Sequence, residues 1–292
     1  MNQDLLKKLS RISAISLAAI LLMSSFIEES NQVTNRIDST RVKIAMAQIF
    51  CLDGDKAGNL VRIENAIIEA KERQADIVVF PEASLLGWVN PDAHFRASPI
   101  PGNDSKHLCD LAEKYGVFIC IGLIEKEDDK IFDSVILIDD SGNILLKHRK
   151  INILSSLMDP PYSPGNDVNV VETKYGTIGL LICADSFIDD LLIKMKAKKP
   201  DLLLIPYGWA APEQAWPDHG EELVKVVLNT SKVVDCPVVG TNLVGEISHG
   251  PWTGQTYGGL SVAYDNNIDT LIVGRDRERD IHLVVIDLKL QD

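Results

Sequence analysis

The 292-residue sequence lacks the motifs of several well-known catalytic and ligand-binding sites. It contains no Gly-x-Ser-x-Gly nucleophile motif, no Gly-x-x-x-x-Gly-Lys phosphate loop and no His-Glu-x-x-His helix. These absences argue against serine hydrolases with that motif, P-loop nucleotide enzymes and zinc peptidases. The five cysteines include no Cys-x-x-Cys pair, and no two of the six histidines lie four apart on a helical run. We therefore expect no metal site and no cofactor.

Positive charge and aromatic residues are also scarce. The sequence has 29 Lys and Arg against 42 Asp and Glu, a formal net charge of −13, which argues against a nucleic-acid partner because phosphate binding requires clustered cations. Aromatic residues make up only 6% of the chain. Neither an internal repeat nor a Pro/Ser-rich linker follows residue 41. With 46% hydrophobic residues, the sequence predicts one domain over residues 42–292.

The N-terminal segment differs from the rest of the sequence. A cationic flank at residues 7–11 precedes an apolar run at residues 12–27, and polar residues continue to residue 41. This pattern is typical of a secretory signal or a short anchor, although the run is shorter than the roughly 20 residues of a membrane span. We expect residues 1–41 to be a signal- or anchor-like segment with a polar spacer, so that the protein is exported or membrane-associated. The alternative is a cytoplasmic protein whose extra N-terminal helix packs on itself or on a partner.

A thiol at the end of a predicted strand is the first candidate for chemistry. The apolar run Thr177–Cys183 predicts a buried strand, and the small and polar residues 184–186 predict a sharp turn into a helix. A cysteine at that junction points out of the sheet end, with the following backbone N–H groups facing the group that it attacks. The alternative interpretation is a small buried core residue.

Two more strands end in residues that complement a thiol. One ends at Phe80 and Pro81, and because proline stops the strand, Glu82 stands at its rim. The other, beginning at Ile144, ends in a group of cations that includes Lys150. A base, an ammonium and a thiol form the minimum set for acyl transfer: the base takes the thiol proton, the thiolate attacks, and the ammonium binds the oxyanion.

The coarse pattern of the chain predicts an α/β fold, since apolar strands alternate with helical segments. Hairpins are predicted where residues 131–138 meet 144–150 and where 168–172 meet 177–183, so the sheets are expected to be mixed. A further strand is predicted over residues 259–264. The predicted helices cover residues 59–73, 105–115, 187–198 and 221–234.

Three motifs resemble the catalytic motifs of the nitrilase superfamily, the carbon–nitrogen hydrolases: Phe80-Pro81-Glu82, His148-Arg149-Lys150 and Leu181-Ile182-Cys183-Ala184-Asp185. The resemblance extends from about Val42 to about Asp287, with supporting matches at residues 43–48, at residues 122–125, at Gly165 and at Asn242. It implies a four-layer α-β-β-α sandwich and a homo-oligomer, dimer or higher. It also implies that Glu125 orients Lys150. With Glu82, Lys150 and Cys183 as the catalytic residues, the Ala184 backbone N–H is expected to share the oxyanion with Lys150.

The sequence departs from the family pattern at two places near these motifs. Asp185-Ser186-Phe187-Ile188-Asp189 replaces an Arg-Phe-Pro-Glu-like run, which changes the substrate pocket. Phe132-Asp133-Ser134 replaces the usual aromatic-Asn-Ser/Thr. The four tryptophans lie after predicted strand ends or in long loops. For Trp209 a pocket wall and surface packing are equally good interpretations.

The predicted activity is hydrolysis of a small non-peptide amide through a Cys183 thioester. A nitrilase or an N-carbamoyl amine hydrolase would use the same residues, and a non-catalytic binding or scaffold protein could keep the fold. The expected partner is therefore a small amide, nitrile or carbamoyl compound.

We predict that the N-terminal segment is separable from catalysis, because its polar spacer has the composition of a tether. A chain that starts at Thr40 should be soluble and should hydrolyse amides at the parental rate, whereas the full chain should be exported or should fractionate with membranes. Cell fractionation and an ammonia-release assay test this. Loss of folding or of turnover on deletion of residues 1–39 would place the segment in the fold or in an oligomer interface.

Overall fold

The computed structural model describes residues 41–265, 267 and 269–288. The predicted signal or anchor at residues 12–27 lies outside this range, so it stays a prediction, as does the assignment of residues 1–41. Within the described range, no helix is both long enough and apolar enough to span a bilayer.

The described residues form fifteen strands. In chain order these are β1 (Arg41–Gln48), β2 (Ile77–Val79), β3 (Phe118–Glu127), β4 (Lys130–Ile138), β5 (Ile144–Arg149), β6 (Val170–Thr173), β7 (Gly176–Leu180) and β8 (Leu202–Tyr207). They continue with β9 (Ala210–Ala211), β10 (Val238–Asn242), β11 (Val244–Glu246), β12 (Thr256–Gly258), β13 (Val262–Tyr264), β14 (Thr270–Val273) and β15 (Asp280–Asp287).

The strands form two six-stranded sheets and one small sheet. The first sheet has the order β15-β1-β2-β3-β4-β5, and the second has the order β14-β13-β10-β8-β7-β6. Both are mixed: β1, β2 and β3 are parallel, as are β7, β8 and β10, while hairpins supply antiparallel neighbours. The small antiparallel sheet has the order β11-β12-β9. The prediction of mixed sheets is confirmed.

Five α-helices of the described ranges connect these strands: α1 (Lys56–Glu72), α2 (Ala93–Arg96), α3 (Asn103–Tyr115), α4 (Asp189–Ala197) and α5 (Asp218–Val234). The α1 helix begins where the Asp55 carboxylate accepts a hydrogen bond from the Gly58 backbone N–H, an N-cap that satisfies one of the unpaired amides of the first turn. Its apolar stripe, which includes Ile63 and Ile67, is buried. The α3 helix ends at Gly116, whose left-handed backbone (φ 58°) suits glycine.

The side chains of β1 point alternately to the two faces of the first sheet, and their contacts show how the layers stack. On β1, Ile44 and Met46 belong to a core shared with strands of the second sheet, whereas Ala45 and Ala47 pack with residues of α1 and α3. Because side chains alternate between the faces of a strand, one face of the first sheet packs on the second sheet and the other on helices. Residues of α4 and α5 pack with the second sheet. The order is α-β-β-α, as the family resemblance implied.

Several predicted element boundaries are wrong. The helix predicted from residue 187 begins at Asp189, because residues 183–187 form a separate 3₁₀ turn. The strand predicted over residues 259–264 is shorter in the structure: only β13 (Val262–Tyr264) forms, and Gly259 makes an isolated bridge to Asp276. The small sheet is not predicted by the sequence pattern, because its strands are only two or three residues long.

Candidate active site

The three predicted catalytic residues lie just past strand ends on the two large sheets. Glu82 follows β2 and Lys150 follows β5 in the first sheet, and Cys183 follows β7 in the second. The Glu82 backbone N–H donates to the carbonyl of Tyr207, the last residue of β8, at 3.3 Å. The turn that carries Glu82 therefore joins the two sheets.

The turn that carries Glu82 requires a close approach between its backbone and the backbone of β3. Ala83 has φ 50°, and Gly122 donates its N–H to the Pro81 carbonyl while its own carbonyl accepts from Ser84. A Cβ on Gly122 would lie 2.5 Å from the Cα of Glu82, so only glycine lets β3 pass this close to the turn. The predicted motif at residues 122–125 thus supports Glu82.

Lys150 is a buried ammonium held by two buried carboxylates. Its Nζ donates to Glu82 Oε1 at 2.5 Å and to Asp133 Oδ2 at 3.3 Å. Burial acts to lower the pKa of Lys150, but the charges of Glu82 and Asp133 outweigh it and hold that pKa well above its usual value. The lysine is therefore charged. Burial, followed by the Glu82 charge, raises the pKa of Asp133.

The hydrogen bonds of Glu125 go to residues other than Lys150, so the orienting role that the family resemblance implies for it stays a prediction. Its buried carboxylate accepts hydrogen bonds from Lys147 Nζ at 2.6 Å, from Arg149 Nε at 2.8 Å and from Ser134 Oγ at 2.7 Å. Lys147 and Arg149 lie three residues and one residue before Lys150. Because successive side chains of a strand point to opposite faces, both point away from the face of Lys150. The second carboxylate beside Lys150 is Asp133, one of the positions at which the sequence departs from the family pattern.

Cys183 occupies a strained turn at the end of β7. Its φ of 39° is unusual for a residue with a side chain, and such strain is typical of functional sites. Ser186 Oγ donates to the Cys183 carbonyl at 2.6 Å and lies 3.0 Å from the Tyr207 hydroxyl, which anchors the turn to β8. Burial and the Glu82 charge raise the pKa of the thiol well above its usual value, although Lys150 and the Gly208 amide act to lower it. The raised pKa favours the protonated thiol at Cys183, so a nucleophilic role for it would require a base.

Asp185 ties the nucleophile turn to the segment after Lys150. Its Oδ1 accepts from the backbone N–H of Ile151 at 2.9 Å and of Asn152 at 2.8 Å. Its Oδ2 lies 2.8 Å from His148 Nε2 and accepts from the Ile182 backbone N–H at 3.2 Å. This buried carboxylate spans both catalytic segments, a role that the sequence analysis did not assign. Ala184 lies on the first turn of the 3₁₀ segment, where amides have no acceptor within the helix.

A small cavity of about 180 Å³ opens beside the thiol. Four aromatic rings supply most of its wall: Trp88, Phe187, Trp209 and Trp252. The other lining residues are Leu154, Cys183, Gly208, Ala210 and His219. The Trp88 ring also lies 5.9 Å from Lys150 Nζ, so the cavity adjoins the buried ammonium. Of the two interpretations of Trp209, the structure favours the pocket wall.

Asn242 positions Trp209. Its Oδ1 accepts from the Trp209 backbone N–H at 2.8 Å, and its Nδ2 donates to the Trp209 carbonyl at 3.2 Å and to the Gly259 carbonyl at 2.9 Å. The indole Nε1 donates to the His219 carbonyl at 2.9 Å. The cavity wall is therefore pre-formed. Within the described ranges, no group of three or more His, Cys, Asp or Glu side chains is placed to hold a metal ion.

Comparison with known proteins identifies the family. The carbon–nitrogen hydrolase family profile matches residues 43–291, so the chain belongs to the carbon–nitrogen hydrolase family, the nitrilase superfamily. The chain is 27% identical over 190 residues to an omega-amidase of Saccharomyces cerevisiae, covering 59% of this chain and 65% of that protein. It is 27% identical over 186 residues to a bifunctional nitrilase/nitrile hydratase of Nicotiana tabacum, covering 56% and 53%. The matched region thus spans between half and two thirds of these relatives.

Solved structures share the fold. An amidase from Nesterenkonia sp. aligns with TM-score 0.71 and 21% identity over 85% of this chain and 90% of that one. A mutant of that enzyme, described as showing covalent addition of the acetamide moiety of fluoroacetamide at the active site cysteine, aligns with TM-score 0.71 and 20% identity over 85% and 90%.

We predict that Gly122→Ala displaces the Glu82 turn, because the new Cβ would meet the backbone of Pro81, Glu82 and Ala83 within 2.8 Å. The variant should lose most of its amide turnover and about 1–3 kcal/mol of unfolding free energy. Chemical denaturation and steady-state kinetics measure the two effects.

Gly179→Ala is the matched control, since its Cβ would meet chiefly the flexible end of the Met195 side chain. It should cost less stability and leave turnover close to the parental value. If Gly122→Ala behaves like this control, the close approach of β3 does not support the Glu82 turn.

Proposed function

We propose that this protein hydrolyses the carbon–nitrogen bond of a small amide through a thioester on Cys183. The observation that carries the proposal is a buried ammonium, Lys150, held between Glu82 and Asp133 beside a buried thiol whose raised pKa requires a base. A purely structural core would not need a buried Lys150 between two carboxylates, because a buried ion pair costs desolvation energy without a packing benefit.

The first half-reaction forms the thioester. Glu82 takes the proton of the Cys183 thiol, and the sulfur attacks the amide carbon to form the S–C bond. The oxyanion is stabilised by the Lys150 ammonium and by the Ala184 backbone N–H. The C–N bond then breaks, Glu82 returns its proton to the nitrogen, and ammonia or an amine leaves.

The second half-reaction regenerates the enzyme. Glu82 takes a proton from water, whose oxygen attacks the thioester carbon, and the same donors bind the second oxyanion. The S–C bond breaks, the Cys183 sulfur recovers the proton from Glu82, and a carboxylic acid is released. No cofactor is needed, because the reaction involves only proton transfer and acyl transfer.

Relatives support an amide substrate. Among them are an omega-amidase and an amidase, the latter in a structure described as carrying an acetamide moiety on its active site cysteine. A nitrile or an N-carbamoyl amine would use the same residues here, and a relative named as a nitrilase/nitrile hydratase keeps that alternative open to test. A homo-oligomer stays a prediction.

We expect Cys183→Ala to lower ammonia release from short amides by at least about a thousandfold, because it removes the nucleophile. The assay should compare amides, nitriles and carbamoyl amines, and mass spectrometry should detect an acylated Cys183 in the parent protein. Cys109→Ala is the control, since Cys109 is a half-buried thiol on α3 outside the site. Near-parental turnover in Cys183→Ala would exclude the thiol mechanism. A parent protein inactive on all three substrate classes would favour the non-catalytic alternative.

Asp133 is proposed to keep Lys150 charged while Glu82 alternates between carboxylate and acid. Because the Asp133 charge contributes to the raised pKa of Lys150, Asp133→Asn should lower that pKa. The ammonium that binds the oxyanion is lost as the pH rises through its pKa, so the alkaline fall in kcat should begin at a lower pH. Asp133→Glu should restore the parental profile in part.

The pH dependence of kcat measures this effect, with Asp129→Asn as the control. Asp129 is exposed in the turn between β3 and β4, so its replacement makes the same change in net charge outside the site. An alkaline limb in Asp133→Asn that coincides with the parental one would remove Asp133 from this role.

A further inference from the structure

The cavity beside Cys183 contains almost no polar surface. Trp88, Trp209, Trp252 and Phe187 form its wall, and within the described residues no Lys, Arg, Asp or Glu side chain lines it. Trp88 meets Trp252 edge to face with ring centroids 5.3 Å apart, and Phe187 meets Trp209 in the same way at 5.4 Å. The substrate therefore enters a pocket of ring carbons.

The polar groups of Trp209 and His219 in this wall are already paired, whereas Glu82 Oε2, buried behind the lining residue Gly208, has no hydrogen-bond partner among the described residues and belongs to the base of the proposed reaction. The Trp209 indole N–H donates to the His219 carbonyl, and the Trp209 backbone is bonded on both sides by Asn242. The His219 ring stacks on Trp209 at 5.0 Å with an interplanar angle of 24°, and its Nδ1 lies 3.3 Å from a Glu222 carboxylate oxygen. The His219 ring thus has a polar partner outside the cavity.

Lys150 has no N–H left for a substrate carboxylate, because two donate to Glu82 and Asp133 and the third is the one that the proposed reaction uses for the oxyanion. A substrate carboxylate in this cavity would lose its hydration without gaining an ion partner, and a buried unpaired charge is costly. A substrate ammonium would meet aromatic faces but no carboxylate on the cavity wall.

Volume sets the size of the ligand. A dry apolar cavity of about 150 Å³ accommodates benzene, with six heavy atoms. By the same density, the 180 Å³ of this open cavity encloses about seven non-hydrogen atoms of a ligand. Three of these belong to the amide group, which leaves an acyl chain with about four further carbons.

We infer that the site selects primary amides of short, uncharged, apolar acyl groups, such as butanamide and 3-methylbutanamide, and discriminates against acyl groups that carry a charge. This inference rests on the proposed function for the identity of the reacting group. The selectivity itself follows from the walls of the cavity.

Two isosteric pairs test the inference. Malonamate carries a carboxylate where 3-methylbutanamide carries an isopropyl group, and 3-aminopropanamide carries an ammonium where butanamide carries a methyl group. Binding should be measured by calorimetry on the full-length Cys183→Ala variant, in which turnover cannot intervene. Each neutral amide should bind its site at least about 100-fold more tightly than its charged counterpart does.

Equal or tighter binding of either charged amide overturns the inference, and so does failure of both neutral amides to bind. Malonamate binding would indicate an anion partner in the pocket, whereas 3-aminopropanamide binding would indicate that the rings act as a cation-binding cage. Turnover by the parent protein is read separately. Neutral-selective binding with no ammonia release would leave the selectivity standing and overturn the proposed function.

A gain of function provides a second test. Leu154 lines the cavity and is 40% exposed, so Leu154→Arg should fold and should place a cation at the rim. We expect the parental ratio of kcat/KM between 3-methylbutanamide and malonamate to fall by about tenfold or more in this variant. The control is Val61→Arg on α1, where an exposed hydrophobic side chain outside the cavity receives the same charge. A Leu154→Arg ratio equal to that of the control would show that the missing cation does not set the selectivity.

Discussion

The hydrogen-bonded ion pair between Lys150 and Glu82 is the interaction on which the rest of the site depends. Lys150 is only 2% exposed and Glu82 is fully buried, so neither charge could persist in the interior without the other. Asp133 completes the pairing on the far side of the ammonium. Glu82, Asp133 and Lys150 belong to the first sheet, and Cys183 belongs to the second. The proposed reaction therefore requires that the two sheets stack on each other.

Glycines allow the backbone to approach closely enough for this pairing. A Cβ on Gly165 would lie 2.0 Å from the Arg149 carbonyl oxygen, and the Gly165 N–H donates to the Lys150 carbonyl at 2.8 Å. A Cβ on Gly208 would lie 2.8 Å from Glu82 Oε2. Gly122 has the same function under the Glu82 turn. Gly122 and Gly165, which the sequence shows as supporting matches, are positions where a side chain would displace the segments that carry Glu82 and Lys150.

The cavity wall shows which parts of the site local sequence can and cannot predict. Trp209 follows a strand end, a position that fits a pocket wall and surface packing equally well. Trp88 and Trp252 lie far apart in the chain, and they meet only because loops from different sheets fold over the same thiol. Asn242 matched the family pattern, but its role as the residue that binds both sides of the Trp209 backbone depends on the pairing of β8 with β10.

The sequence by itself determined the strands that lead into Glu82, Lys150 and Cys183, because apolar runs and their breakers are local signals. It did not determine which carboxylate accompanies Lys150. In the β4–β5 hairpin, Ile138 pairs with Ile144 next to the turn, and an unbroken ladder would place Phe132 opposite Lys150. A bulge after Leu137 shifts the register by one residue, so that the Lys150 N–H donates to the Asp133 carbonyl at 2.8 Å and the Asp133 side chain turns inward. A one-residue shift exchanges the faces of a strand, and only tertiary packing decides where the bulge falls.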